Sequence, residues 1–310
     1  MDMGRRTVIK TGVGIGASML LGSAPLFAQS QSTRLLQRKI PSTGESIPII
    51  GLGTARRYEE IKTDAELAPL RETIRQFTEL GGKVIDSSPS YGTAEAVVGK
   101  IVEGLKVRNS LFLATKVSLR KLGREAGLEQ IEQSFKKLRT NKIDLIAVHN
   151  LRDTQTQLRT LREMKQAGRI RYVGITTSFD NQYSEFEQTM KNETLDFIQV
   201  DYALDNRDAG ERIIPLAADR GMAVMINLPF GRGRLFNAVQ GKKLPAWASE
   251  FDCNSWAQFF LKYIVSHPAV TCAIPGMAKV EYVIDNLGAA RGRLPDAAMR
   301  IRMEKFIDGV

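Results

Sequence analysis

Eight short runs of β-branched and other apolar residues recur along this chain, at 49–54, 83–87, 111–117, 143–149, 170–176, 197–202, 223–227 and 270–274. Most begin about 26–35 residues after the one before, the length of a strand plus a returning helix. The stretches between them have helical periodicity. In 125–139, Leu128, Ile131, Phe135 and Leu138 fall at spacings of three and four. Gly168 and Gly221 stand where glycines end helices. Strands that alternate with helices build a parallel sheet. Eight such units over roughly 250 residues predict an α/β fold closed as a (β/α)8 TIM barrel. The alternative is an open doubly wound sheet, which wants a Gly-x-Gly-x-x-Gly turn after its first strand. The stretch Gly51-Leu52-Gly53-Thr54-Ala55-Arg56 lacks the third glycine. The last gap is longer because 235–251 forms an extra loop. Residues 37–50 read as an N-terminal β-hairpin turning at Pro41-Ser42-Thr43-Gly44-Glu45, placed to plug the bottom of the barrel.

The first residues stand apart. Arg5 and Arg6 precede an uncharged stretch, 11–28, that is rich in Gly, Ala and Ser and ends Leu26-Phe27-Ala28. It is too weakly apolar for a spanning helix. The layout is that of a signal peptide, and the paired arginines resemble the twin-arginine export signal. The expected organisation is a signal peptide over 1–28 and a barrel domain over 29–310. The partner of the N-terminus is then the export machinery, and the location is periplasmic or secreted. A basic, unstructured N-terminus is the plainer alternative.

The net charge is +10, of which the first 28 residues carry +2. Lys and Arg are interspersed with acids and no RNP-like aromatic motif is present, so nucleic acid is not an expected partner. A solvated basic surface accounts for the excess and also suits an anionic ligand. Folding before export takes place in a reducing compartment, so Cys253 and Cys272 are expected as free thiols. With two His and no Cys-x-x-Cys, no metal is expected.

Chemistry in such a barrel sits at the C-terminal strand ends. The second run ends at Asp86, with Tyr91 five residues on, the third carries Lys116, and the fourth ends at His149. Singly, each has an ordinary reading: a helix cap for Asp86, a snorkelling surface lysine, a packed tyrosine, a structural histidine. His267 takes that last reading. Together they say more. A lysine at the tip of an apolar strand needs a carboxylate, which Asp86 can supply. A phenol beside that cation is expected to ionise below its free value of about 10, so that Tyr91 serves as a proton donor. His149, held neutral, can direct a substrate oxygen. An acid and an oriented carbonyl, with no metal and no nucleophile, suit hydride transfer from a nicotinamide.

Several motifs carry a family resemblance over about residues 40–290. They are Gly51-Leu52-Gly53-Thr54, the stretch from Val84 through Asp86-Ser87-Ser88-Pro89-Ser90-Tyr91-Gly92, Ala114-Thr115-Lys116, Val148-His149, Tyr172-Val173-Gly174-Ile175-Thr176, Gln199-Val200-Asp201-Tyr202, and Ile274-Pro275-Gly276 running on to Asp285-Asn286. In order and spacing the chain resembles the aldo-keto reductases. The resemblance implies the catalytic tetrad Asp86, Tyr91, Lys116 and His149, an (α/β)8 barrel, and reduction of a small carbonyl substrate with NADPH, NADH being the alternative. It further implies that Thr176, Thr177 and Gln199 meet the nicotinamide carboxamide. Arg232 and Arg234, in Gly231-Arg232-Gly233-Arg234, would lie near the pyrophosphate, Lys279 would reach the 2′-phosphate, and Asp285 with Asn286 would bind adenine. Two positions depart from the family. Asn227 stands where a tyrosine often stacks under the nicotinamide, and Tyr282 where an arginine often meets the 2′-phosphate. The competing function is a nicotinamide-nucleotide-binding sensor or partner-binding module on the same barrel, with little turnover. Substitutions Lys116→Met and Tyr91→Phe are both expected to remove turnover and leave the fold intact. Trp247 and Phe236, in the extra loop, would either line a pocket or pack the loop.

Overall fold

The computed structural model describes residues 34–310, so the predicted signal segment lies outside the described residues. The described chain opens with an antiparallel hairpin of β1 (Gln37–Lys39) and β2 (Ser46–Pro48), as its turn residues predicted. Eight parallel strands follow: β3 (Leu52–Gly53), β4 (Val84–Asp86), β5 (Phe112–Val117), β6 (Ile143–His149), β7 (Ile170–Thr176), β8 (Phe197–Asp201), β9 (Ala223–Asn227) and β10 (Val270–Ala273). Their order in the sheet is their order in the chain. Helices α1 (Asp64–Glu79), α2 (Ala94–Leu105), α3 (Arg124–Lys137), α4 (Thr154–Gln166), α5 (Tyr183–Asn192) and α6 (Ile213–Asp219) alternate with the strands from β3 to β8. The extra loop after β9 contains α7 (Arg234–Ala238) and a 3-10 turn, and α8 (Trp256–Val265) leads into β10. The chain ends with α9 (Val280–Gly288) and α10 (Ala297–Asp308).

Local chemistry explains these elements. Helix α1 starts at a capping box: Glu66 N–H donates to Thr63 Oγ1 at 3.2 Å, and Thr63 N–H donates to the Glu66 carboxylate at 2.9 Å. Its Leu67, Leu70, Ile74 and Phe77 then lie buried on one face, at the spacing a core-facing helix requires.

The sheet closes on itself, which decides for the barrel over the open sheet. Ile50 bridges Ala273 and Gly53 bridges Gly276, both in parallel. Gly51 N–H donates to the Ala273 carbonyl at 2.8 Å, and Ala273 N–H to the Ile49 carbonyl at 2.9 Å. This seam explains one of the motif glycines. A Cβ on Gly53 would stand 2.7 Å from the Ile274 carbonyl oxygen, so any side chain there would push the first and last strands apart.

The hairpin stops the barrel at its N-terminal end. Ile40 and Ile47 pack into one buried cluster with Val84, Phe112, Tyr172 and Phe197, the residues at or near the starts of their strands. Burial of apolar surface holds the plug, and polar contacts set its register. Arg38 donates to the carbonyls of Val265 (2.8 Å), His267 (2.5 Å) and Val270, while Glu45 pairs with Arg171 and accepts from the Tyr172 hydroxyl at 2.5 Å. His267 is packed edge-on to Tyr202, its Nδ1 accepts from Ala269 N–H, and burial, then Arg300 and Arg38, lower its pKa to about 4. It is a neutral structural histidine, far along the chain from the strand ends that matter next. Cys253 and Cys272 are both buried free thiols.

Candidate active site

Strand alternation builds the site. Residues two apart on a strand share a face. The buried plug cluster therefore identifies which residues point into the barrel: Val84 on β4, Phe112 and Ala114 on β5, Leu145 on β6, Tyr172 on β7, Phe197 on β8 and Met225 on β9. Counting onward by twos reaches Asp86, Lys116, His149, Thr176, Gln199 and Asn227. Each of these six strands thus fills the barrel floor with an apolar side chain and, two to four residues later, presents a polar one at the upper rim. These six line one cleft of about 470 Å³, together with Tyr91 from the loop after β4.

At its centre is a buried ion pair. Lys116 Nζ donates to Asp86 Oδ2 at 2.7 Å and to the Ser87 carbonyl at 2.8 Å, and the two side chains are 2% and 6% exposed. Asp86 Oδ1 accepts from Gln199 Nε2 at 3.0 Å, and Gln199 Oε1 accepts from Thr176 Oγ1 at 2.7 Å. A chain of hydrogen bonds therefore runs across four strands and fixes the ammonium. Burial opposes that charge, but Asp86 and then Tyr91 outweigh it, and the Lys116 pKa stands above the ordinary value.

Tyr91 enters over this ammonium, with Lys116 Nζ 5.2 Å from its ring centroid. The loop that delivers it turns at Gly92, φ +50°, where a Cβ would meet the Glu59 carbonyl oxygen at 2.1 Å. The expected lowering of the phenol pKa does not occur. Burial raises it, Lys116 pulls it back only in part, and Asp86 adds to the rise. The reason is desolvation: an unliganded phenolate in this pocket loses more hydration than one lysine, already shared with Asp86, restores. Tyr91 holds its proton. His149 faces Tyr91 edge-on at 6.3 Å between centroids, and its Nδ1 lies 3.4 Å from Ser88 Oγ. Burial, then Lys116, lowers its pKa to about 3, so the imidazole is neutral.

The remaining predicted residues divide by position. Thr177, beside Thr176, is buried and donates to Gln182 Oε1 at 2.5 Å. Asn227 donates to the Thr177 carbonyl at 3.2 Å, and its Oδ1 is closed off without a partner. Arg232 lines the cleft, in a left-handed backbone at φ 58°. Arg234 turns to Asp205 instead, its Nε 2.9 Å from Asp205 Oδ2, in a neighbouring cavity. Lys279, Asp285 and Asn286 do not line the cleft. Lys279 is 60% exposed and lies by Glu281 and the Tyr282 ring, and Asp285 Oδ1 already accepts from Ser255 Oγ (2.7 Å) and Gln258 Nε2 (2.9 Å). Phe236 lines the cleft, whereas Trp247 packs on Phe251, Phe259 and Phe306.

Sequence reading passed over Arg56 and Arg57, which line the cleft and enter no ion pair among the described residues. Their adjacency right after the Gly51-Leu52-Gly53-Thr54 motif was the available signal. Ser88, beside His149, was also passed over. Among the described residues no group of His, Cys, Asp and Glu is arranged to hold a metal ion.

The chain is similar to proteins of one family. The sequence model of the aldo/keto reductase family matches residues 49–305. Methylglyoxal reductase YeaE of Escherichia coli is 28% identical over 270 residues, which cover 85% of this chain and 93% of that protein. Aldo-keto reductase YhdN of Bacillus subtilis is 30% identical over 209 residues, 63% of this chain, and the chain spans 62% of that relative's length. Among solved structures, an aldo/keto reductase from Klebsiella pneumoniae in complex with NADP and acetate superposes with a TM-score of 0.73 at 25% identity, covering 85% of this chain and 93% of that one. With the barrel, its plug and the strand-end residues in place, the family match over most of the length makes this chain a member of the aldo/keto reductase family of oxidoreductases.

Proposed function

We propose that the protein reduces a small aldehyde or ketone to the alcohol with NADPH, NADH being the alternative donor. The observation that carries this reading is the buried Asp86–Lys116 pair set against Tyr91, with a neutral His149 across from it. The chemistry of the lining fits a nicotinamide nucleotide. Thr176, Thr177, Gln199 and Asn227 bring polar side chains to the lining that an amide can meet. At the mouth, Arg56, Arg57 and Arg232 are free of ion pairs among the described residues and suit phosphate oxygens. Lys279, Asp285 and Asn286 stand outside this lining and remain proposed for the 2′-phosphate and adenine.

When bound, the nucleotide supplies the hydride that the carbonyl carbon receives. Tyr91 gives its phenolic proton to the carbonyl oxygen, and the phenolate left behind faces the Lys116 ammonium. His149 Nδ1 is turned to the Ser88 hydroxyl, which leaves Nε2 to donate to the same substrate oxygen and hold its direction. Asp86 and Gln199 keep Lys116 charged and in place.

The relatives' printed activities make methylglyoxal the first substrate to try. The full chain is expected to consume NADPH with methylglyoxal. Tight nucleotide binding without turnover of this or a generic aldehyde would favour the sensor reading. The pH profile is informative too. Reduction needs Tyr91 protonated and His149 neutral. The Tyr91 pKa is raised and that of His149 is lowered to about 3. kcat/KM for reduction should therefore be flat between about pH 5 and 9 and fall only as the phenol ionises above that range. A limb near the free histidine value of about 6.5 would remove the neutral-imidazole assignment.

Residues 1–28 are proposed as a twin-arginine signal and 29–310 as the exported barrel domain. The support is Arg5-Arg6, the uncharged stretch over 11–28 and the small residue at Ala28. Changing both arginines to lysine should retain the protein in the cytoplasm on fractionation; unchanged export would refute the signal.

A further inference from the structure

Two carboxylates line the cleft among the described residues, Asp86 and Glu59. Asp86 is paired with Lys116. Glu59, from the loop after β3, enters no ion pair there and takes no part in the steps above. Its loop runs from one reacting group to another. It begins at Thr54, whose N–H (3.1 Å) and Oγ1 (3.0 Å) both donate to the Asp86 carbonyl. It ends against the loop that carries Tyr91. There Thr93 N–H donates to the Glu59 carbonyl at 2.9 Å, Thr93 Oγ1 to the Tyr58 carbonyl at 2.8 Å, and Ile61 N–H to Thr93 Oγ1 at 3.1 Å. Gly92, next to Tyr91, leaves the Glu59 carbonyl the room that a Cβ would take.

The Glu59 side chain holds this loop from within. Its Oε1 accepts from Arg56 N–H at 2.6 Å, and Arg56 stands in the left-handed region at φ 62°. A residue with a Cβ keeps that conformation only where its surroundings maintain it, and here the carboxylate does. Tyr58 is fully buried, and its hydroxyl donates to the Met277 carbonyl at 3.0 Å, which anchors the middle of the loop. The phenol of Tyr91 thus shares the cleft with charged or titratable groups from four elements: Asp86 on β4, Lys116 on β5, His149 on β6, and Glu59 with Arg56 and Arg57 on the loop after β3. Burial raises the Tyr91 pKa most. Of the charges, Lys116 lowers it, and Asp86 and then Glu59 raise it, while His149 is neutral.

We propose that Glu59 is a positioning residue for the general acid: its carboxylate fixes the loop after β3, that loop clamps Gly92 and Thr93, and Tyr91 is thereby held over Lys116 with a second negative charge in the same cleft. The inference rests on the reductase reading above and leaves its steps unchanged. The dihydronicotinamide gives the hydride to the carbonyl carbon, and Tyr91 gives the proton to the oxygen. Glu59 exchanges no proton in these steps and acts only through Tyr91.

The test is steady-state reduction of methylglyoxal, or of a generic aldehyde that the wild type turns over better, by the full chain with NADPH across about pH 6–10. Glu59→Ala removes both the acceptor and the charge, and its kcat at pH 7 should fall about tenfold or more as the acid leaves its place. Glu59→Gln removes the charge but keeps an oxygen for Arg56 N–H, so its kcat at pH 7 should lie between those of Glu59→Ala and wild type. Its alkaline limb, set by Tyr91, should move to lower pH, because a phenolate forms more readily with one negative charge fewer nearby. At about pH 10, relative to its own plateau, it should keep about a third of the kcat/KM that wild type keeps. A Glu59→Gln limb that coincides with that of wild type, or a Glu59→Ala kcat equal to wild type, overturns the inference and leaves the reductase reading standing. If Glu59→Ala does not fold, the Glu59→Gln limb decides alone. If the wild type reduces no aldehyde, both fall together.

Discussion

Tyr91→Phe should lower kcat for aldehyde reduction by about 10²–10⁴-fold, the range for losing a positioned general acid. The change removes one hydroxyl and its hydrogen bond with Lys116, whose ammonium keeps its bonds to Asp86 and the Ser87 carbonyl. Its ring still packs edge-on to His149 and over Lys116. Thermal midpoint and NADPH affinity should stay near wild type, so the loss appears in kcat. The loss should be the same across about pH 5–9, because no other group at that oxygen can give up a proton in that range. Neutral His149 has a pKa of about 3 and Lys116 is held charged by Asp86. Turnover within a few-fold of wild type would remove Tyr91 as the acid, and with it the proposed mechanism.

Lys116→Met carries a second penalty that the sequence reading did not anticipate. Because Lys116 and Asp86 are 2% and 6% exposed, the variant leaves a carboxylate buried with Gln199 Nε2 as its remaining side-chain donor. Breaking a buried pair in this way costs about 3–5 kcal/mol, a large part of the stability of an ordinary domain. The fold is therefore not expected to be left intact, contrary to the first expectation. Denaturant midpoints of the variant and wild type at pH 7 measure the loss. Adding Asp86→Asn should recover part of the stability and none of the activity. Equal stability of Lys116→Met and wild type at pH 7 would mean the pair is not shut off from water as described.

Much of the architecture follows from local rules. The eight apolar runs each became a parallel strand, because a β-branched run bounded by helices has few other ways to bury itself. Gly168 and Gly221, read as helix stops, fall at φ +73° and +65° just past α4 and α6. Alternation along single strands already aimed Asp86, Lys116, His149, Gln199 and Asn227 at the side that carries the buried floor. All of this depends on neighbours within a few residues.

What the linear chain could not determine depends on distances between separate elements. The Tyr91 pKa moved opposite to expectation because burial, a property of the whole pocket, outweighed one nearby charge. Arg56 and Arg57 stand at the mouth of the cleft, which no motif announced, because loop conformation decides which side chains a strand end meets. Phe236 and Trp247 looked equivalent in one loop, yet one lines the cleft and the other packs on α8 and α10. Periodicity and turn chemistry act along the chain and are written in the sequence. Desolvation, charge pairing and cavity shape act across it, and only the closed barrel brings their partners together.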